Sequence, residues 1–322
     1  TPVYDWMKIP GATIVQLDKM PGENEIQKWG LTDYVGAVTD GTYGAVGLDF
    51  KSPHTGLAAK KVWFFFDKTY VCLGTDISSR MKNQVLTTVN QCLLNGQVTV
   101  SDADGIHPQE RGSRMKKGVR WVVHDRVGYY FLNKENVILS NQRTEGSWKI
   151  ANRQTTTPTD IIQQDVFTLS VDHGSYPNNE GYAYMVVPSA DPLSIEKQVE
   201  EEGVVVLANC PDVQAVRHDG LNMAYAVFYK GGTLRIHDKI VVEMDAPGML
   251  MVKYNDAGEI LTLGVSDPTR FMKKLHLSVN QRIVGTAQEN IQTEWDGKQA
   301  LTRITVELPQ NEYAGKSVIY NK

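Results

Sequence analysis

Cysteine is scarce in this sequence. Cys72, Cys92 and Cys210 are the three in 322 residues. Their number is odd, they are widely separated, and no pair has C-x-x-C spacing, which argues against a disulfide framework or a zinc site. Cys72 and Cys92 fall in apolar segments, where a thiol packs as a small hydrophobe. Long hydrophobic runs are also missing. Nothing approaches the roughly 18 consecutive apolar residues that cross a bilayer, so no membrane span is expected. Charge of one sign is lacking as well: 33 Lys and Arg face 37 Asp and Glu, a formal net charge of -4. That balance gives no global attraction to a polyanion and disfavours nucleic acid as a partner. No G-x-S-x-G elbow, G-x-x-x-x-G-K-[ST] phosphate loop, H-E-x-x-H metal helix or Gly-rich dinucleotide turn occurs. Sustained helical periodicity is nearly absent.

What is present is period-two alternation. In Thr302–Leu308 the apolar Ile304, Val306 and Leu308 share one face, and Leu275, Leu277 and Val279 do the same around His276 and Ser278, as in half-buried strands. Lys60–Ile77 reads as two aromatic-rich antiparallel strands around a tight turn at Asp67-Lys68. The exception is Asp191–Gly203, where Asp191 can cap, Pro192 suits a first helical turn and Gly203 offers a left-handed stop. A short helix is expected there. Many short strands parted by Gly, Asn, Asp and Pro turns predict an all-β fold with sheet packed on sheet. An apolar content of 41% supports a real core. The length suggests one large domain and one small one, with a break expected near 238–246, where Pro247-Gly248 interrupts a strand pattern. This gives expected domains of residues 1–240 and 241–322.

The wording of several segments resembles one family. Lys60–Ile77, with Lys60-Lys61-Val62-Trp63-Phe64-Phe65-Phe66-Asp67, is similar to the lysine-aromatic hairpin of polysaccharide lyase family 8, the hyaluronan, chondroitin and xanthan lyases. Trp6–Thr13 resembles that family's tryptophan and Pro-Gly entry to the central domain, and Asp40-Gly41-Thr42-Tyr43-Gly44 its Gly-x-Tyr-Gly strand pair. Val85–Gln91, Trp121–Tyr130, Asp172-His173-Gly174 and Tyr182–Pro188 continue in the same order, and Leu261–Thr269 is similar to the opening of its small C-terminal domain. Shared order over some two hundred residues is more specific than any one motif.

The resemblance implies a large antiparallel β-supersandwich of the galactose mutarotase-like type, then a small C-terminal β-sandwich. It implies cleavage of an acidic polysaccharide by β-elimination, and a secreted or periplasmic location. In the family the proton-transfer residues lie in an N-terminal α-toroid. That toroid is an expected partner domain of the same precursor, since this chain begins at Thr1 without initiator methionine or signal-peptide pattern. Alignment on Gly41-x-Tyr43-Gly44 places Asp40 where chondroitin lyases carry a glutamate that orients catalytic groups. Asp is one methylene shorter, and the role requires an exposed carboxylate in this fragment. No cofactor is required.

Read from the residues, Asp40-Gly41 is equally a hairpin turn. Trp29, Tyr43, His124 and Arg120 are candidate sugar contacts, and Trp148 and Tyr176 also sit in loops of the kind that carry binding residues. His124 and His173 have the alternative of local hydrogen bonds in strands. Arg111, Arg114, Lys116, Lys117, Arg120 and Arg126 form the densest basic run. Asp102-Ala103-Asp104-Gly105 is a fragment of a calcium loop, so a structural calcium is carried as a possibility. Two other functions stay open: a non-catalytic carbohydrate-binding or scaffold sandwich, and a mutarotase-like enzyme with its own His and Glu in one cleft.

Overall fold

The computed structural model describes residues 2–19, 21–25, 27, 29–152, 154–283 and 289–322. The chain divides into two compact units, residues 1–29, 51–59 and 77–195, and residues 30–50, 60–76 and 196–322.

The first unit is built on antiparallel strands in the order Thr13–Val15, Gln84–Leu93, Ile162–Ser175, Val127–Gly146 and Glu180–Pro188. Gly112–His124 also pairs with Val127–Gly146, and carries Val98–Asp102, which in turn pairs with Gly105–Pro108. Alternating apolar residues bury Trp121, Phe131, Leu139, Phe167 and Leu169. Burial of a side chain of this size contributes about 1.5–3 kcal/mol.

The second unit takes in Val35–Thr39, paired with residues 44–48 of the strand Gly44–Lys51, and residues 60–76 of the hairpin formed by Ala58–Phe65 and Tyr70–Ser78. The expected tight turn is closed by Phe66 N–H donating to Thr69 O at 3.0 Å. Phe64 and Phe66 enter the core, whereas Phe65 is exposed. A six-stranded sheet from Val204–Cys210 to Val318–Asn321 and a five-stranded sheet containing Lys274–Val279 and Leu301–Glu307 enclose one apolar core. Leu275, Leu277, Val279, Ile304 and Val306 all point into it, as their alternation requires. The predicted helix is Ile195–Glu202. Asp191 Oδ1 accepts the Leu193 N–H just before it, and Gly203 ends it at φ 63°.

The domain break expected near residue 240 falls elsewhere. Ile240–Met244 pairs with Gly232–His237 inside the five-stranded sheet, so Pro247-Gly248 marks a turn within the small sandwich, whose first strand begins at Val204. Segment 30–50 also belongs with that sandwich. Tyr34 OH donates to Phe228 O at 2.8 Å, Ser266 Oγ to Ala37 O at 2.7 Å, and Thr39 N–H to Ser317 Oγ at 3.0 Å. Partners that lie so far apart leave no trace in local periodicity.

Gly36 makes this junction possible. A Cβ there would sit 2.8 Å from both Cα and Cβ of Pro268. Those atoms cannot rotate away, so Gly36→Ala is expected to cost about 1–3 kcal/mol, the usual range for forced overpacking. Urea unfolding of the variant would measure it, and an unchanged midpoint would show that the contact is not tight.

Candidate functional site

The Asp40 turn holds the most organised polar cluster among the sequence candidates. Asp40 Oδ1 accepts the N–H groups of Thr42 and Tyr43 at 3.0 and 2.9 Å, and Gly41 takes φ 93°, which only glycine adopts freely. Oδ2 pairs with Lys253 Nζ, which also lies 4.6 Å from the centre of the Tyr43 ring. Burial opposes ionisation of Asp40. The Lys253 hydrogen bond and the two backbone donors outweigh it and hold the carboxyl below the usual aspartate range. The side chain is 14% exposed. An orienting carboxylate was expected to stand open; here both oxygens are engaged within the same unit, one closing the turn and one pairing the lysine.

Beneath this cluster Tyr225 is buried, its ring centre 6.0 Å from Phe64 and 5.7 Å from Phe66. Its hydroxyl has no hydrogen-bond partner among the described residues. Burial first, and the charge of Asp40 second, push its pKa well up, so the phenol stays protonated. Sequence reasoning missed Lys253 and Tyr225. Lys253 lies 213 positions from Asp40, and no local signal connects the two.

His124, expected as a possible sugar contact, is a core histidine instead. It is 1% exposed and stacks on Phe167 at 4.3 Å. Nε2 accepts the Asn95 N–H at 3.0 Å, which leaves the proton on Nδ1, facing Cys92 Sγ at 3.6 Å. Burial drives its pKa down, so the ring is neutral at pH 7. His173 is likewise internal, with Nε2 at 2.8 Å from Thr87 Oγ1, itself 2.8 Å from Thr13 Oγ1.

Trp29 is 81% exposed, a ring placed for stacking rather than packing. Arg120 is exposed on Gly112–His124, and Tyr43 is half-buried beneath Lys253. The structure therefore joins Asp40 and Tyr43 in one cluster and puts Trp29 and Arg120 in the other unit.

Much of the basic run is neutralised where it stands. Arg111 and Arg143 both bind Asp165, Arg114 binds Glu110 at 2.6 Å, and Lys116 binds Asp102 at 3.0 Å. Asp102 also accepts from His107 at 3.0 Å and from the Asp104 N–H at 3.0 Å. Its burial is overcome by these donors, which keep it ionised and occupied by protein cations. The calcium-like fragment is thus engaged internally. Among the described residues no group of three or more His, Cys, Asp or Glu side chains is placed to hold a metal ion.

Two antiparallel β-assemblies, one of them containing a small sandwich, define a class of large β-sandwich proteins. Within it, residues 1–199 match the super-sandwich domain of polysaccharide lyase family 8 and residues 205–276 its C-terminal beta-sandwich domain. The chain belongs to polysaccharide lyase family 8. It is 35% identical to chondroitinase-AC of Pedobacter heparinus over 98% of its own length and 42% of that protein's. It is 27% identical to xanthan lyase of a Bacillus species, covering 84% of this chain and 29% of the other. A solved chondroitinase AC lyase superposes with a TM-score of 0.84 at 34% identity, covering 99% of this chain and 44% of that one. The chain therefore spans less than half the length of these relatives.

Asp40→Ala is expected to lower stability by about 1–3 kcal/mol, as for a lost charge-assisted hydrogen bond that leaves a partner unpaired. Because the folded pKa is depressed, the contribution is fully present above the unfolded value of about 3.9. It fades as pH falls through the lower folded value. Thermal melts of wild type and variant from neutral to acidic pH should converge at the acid end. A constant gap between the two curves would remove Lys253 pairing as the cause.

Proposed function

We propose that this chain is the β-portion of a lyase that cleaves a uronic-acid polysaccharide, chondroitin or hyaluronan, by β-elimination. The observation that carries this reading is the 35% identity to a chondroitinase-AC over 98% of the chain, in a family with chondroitin, xanthan and hyaluronan lyases. β-Elimination requires three acts: neutralising the uronate carboxylate, removing the proton beside it, and protonating the leaving glycosidic oxygen. His124 and His173 are buried and hydrogen-bonded, and so offer no proton-transfer group to a surface. The chemistry is accordingly assigned to an N-terminal α-toroid of the same precursor. This chain supplies one wall of the sugar cleft, with Trp29 as its stacking surface and Arg120 as a further contact. Asp40 serves the fold first, and any orienting role would have to be exerted through the turn that it closes. Neither a cofactor nor calcium enters the proposed reaction. A polymeric substrate that cannot cross a membrane places the enzyme outside the cytoplasm, secreted or periplasmic.

A mutarotase-like reading needs a His and a Glu open to one cleft. The His218–Glu202 pair, 2.9 Å apart with His218 buried against Phe66, does not provide it.

The test is the absorbance of the unsaturated uronate product with chondroitin and hyaluronan. The full-length precursor should form product, and the purified 322-residue chain should form none. In the full-length protein Trp29→Ala should raise KM several-fold with little change in kcat, the signature of lost uniform binding. Product from the isolated chain would require a complete site within these residues. A full-length protein that binds both polymers without cleaving either would favour the carbohydrate-binding scaffold.

A further inference from the structure

Lys51 and Arg80 are far apart in sequence, yet both line one concavity of about 820 Å3 in the first unit. Its remaining walls are Thr55, Gly56, Ala58, Ser78, Ser79, Tyr176, Pro177 and Asn178, with no carboxylate among them. The volume lies within the roughly 300–1,000 Å3 of small-ligand sites. Among the described residues neither cation has an ion-pair partner, although Arg111, Arg114 and Lys116 of the basic run are paired. In a chain of net charge -4 this is a local positive hollow, and a concave, low-dielectric wall focuses such a field.

The walls are braced rather than loose. Tyr176 N–H donates to Met81 O at 3.2 Å, Ser79 N–H to Pro177 O at 2.9 Å, and Asn179 N–H to Ser78 Oγ at 2.9 Å. The opposite wall is a closed turn, with Ser52 N–H on Leu57 O at 2.7 Å and Thr55 N–H on Ser52 Oγ at 3.2 Å. Tyr176 is held at φ 51°, a left-handed conformation uncommon for a bulky residue, and its ring remains 59% exposed. Backbone strain of about 1–3 kcal/mol at such a position persists only where the surroundings enforce it. The three hydrogen bonds enforce it here, and the result is an aromatic face fixed at the mouth of a cationic hollow.

We infer that this hollow is a second saccharide-binding site, one that takes an anionic sugar segment, with Arg80 and Lys51 on its carboxylate or sulfate groups and Tyr176 against a ring face. The inference rests on the acidic-polysaccharide reading for its ligand class, but not on cleavage. A guanidinium meets a carboxylate or sulfate through paired donors, and an ammonium acts as a point charge beside it. Such a site would hold the polymer on the β-portion outside the reacting sugars.

Calorimetric titration of the 322-residue chain with hexasaccharides of hyaluronan, chondroitin 4-sulfate and neutral cellulose tests it. The acidic ligands should bind at least about tenfold more tightly than the neutral one, and more weakly as salt rises. Arg80→Gln and Lys51→Gln should each weaken acidic binding by about tenfold, and Tyr176→Ala should weaken it as well. All three side chains are exposed or at a rim, and unchanged melting temperatures would confirm that the variants fold. A preference for the sulfated ligand would identify sulfate as the anion held; equal binding of both acidic ligands would identify the uronate carboxylate. Wild-type affinity in the Lys51→Gln/Arg80→Gln double variant overturns the site, as does equal affinity for the neutral ligand. If the chain binds acidic sugar through these residues while the full-length protein forms no unsaturated product, the lyase reading falls and this site stands.

Discussion

The strand Val127–Gly146 is the member on which the first unit depends. Residues 127–131 lie between Gly112–His124 on one side and Glu180–Pro188 on the other. Past residue 135 the same strand keeps its first neighbour but pairs on its other side with Ile162–Ser175, from Val137 through Gly146. The changeover coincides with register shifts at Tyr130/Glu135 and Glu135/Val137. A bulge adds twist and bends its strand, so one continuous strand can serve two partners in succession. Glu135 sits at this irregularity. Burial raises its pKa to about 7 against the backbone donor of Ala183, an uncommon cost accepted where the ladder is interrupted.

In the second unit the equivalent constraint is long-range. Tyr34, Ala37 and Thr39 reach Phe228, Ser266 and Ser317, and the bare Gly36 lets the backbones approach. The small sandwich thus incorporates an N-terminal hairpin as part of its own structure. Asp40 and Lys253 extend that seam by an ion pair at the hairpin's turn. The conformation of the turn and the attachment of the hairpin are therefore coupled through one carboxylate, with a different oxygen for each.

These two constraints explain what could be read from the chain and what could not. Ile304, Val306, Leu308 and the Lys60–Ile77 hairpin were legible because a strand declares its buried face by alternation and a tight turn by its residues. The helix at Ile195–Glu202 was legible through its stop at Gly203. The domain division was not, because Pro247-Gly248 gives the same local signal whether a turn ends a domain or leads from one sheet of a sandwich to the other. His124 was ambiguous for a related reason. On a strand His124 points to the opposite face from Trp121 and Val123, and that face is also buried, against Phe167 and Cys92. A strand covered on both sides loses the polar alternation that would have exposed the error.

Charge shows the same limit most plainly. Along the sequence, positive charge is densest from Arg111 to Arg126, yet on an extended strand consecutive side chains point to opposite faces, so a linear cluster is divided between two surfaces. Acids close in space neutralise part of it, with Asp165, Glu110 and Asp102 taking up Arg111, Arg143, Arg114 and Lys116. Lys51 and Arg80 look isolated in the sequence, but braced turns bring them to one hollow whose walls hold no acid. Attraction for a polyanion depends on unpaired charge in a shaped space, so local density in sequence and local potential in the fold can point to different places on this molecule.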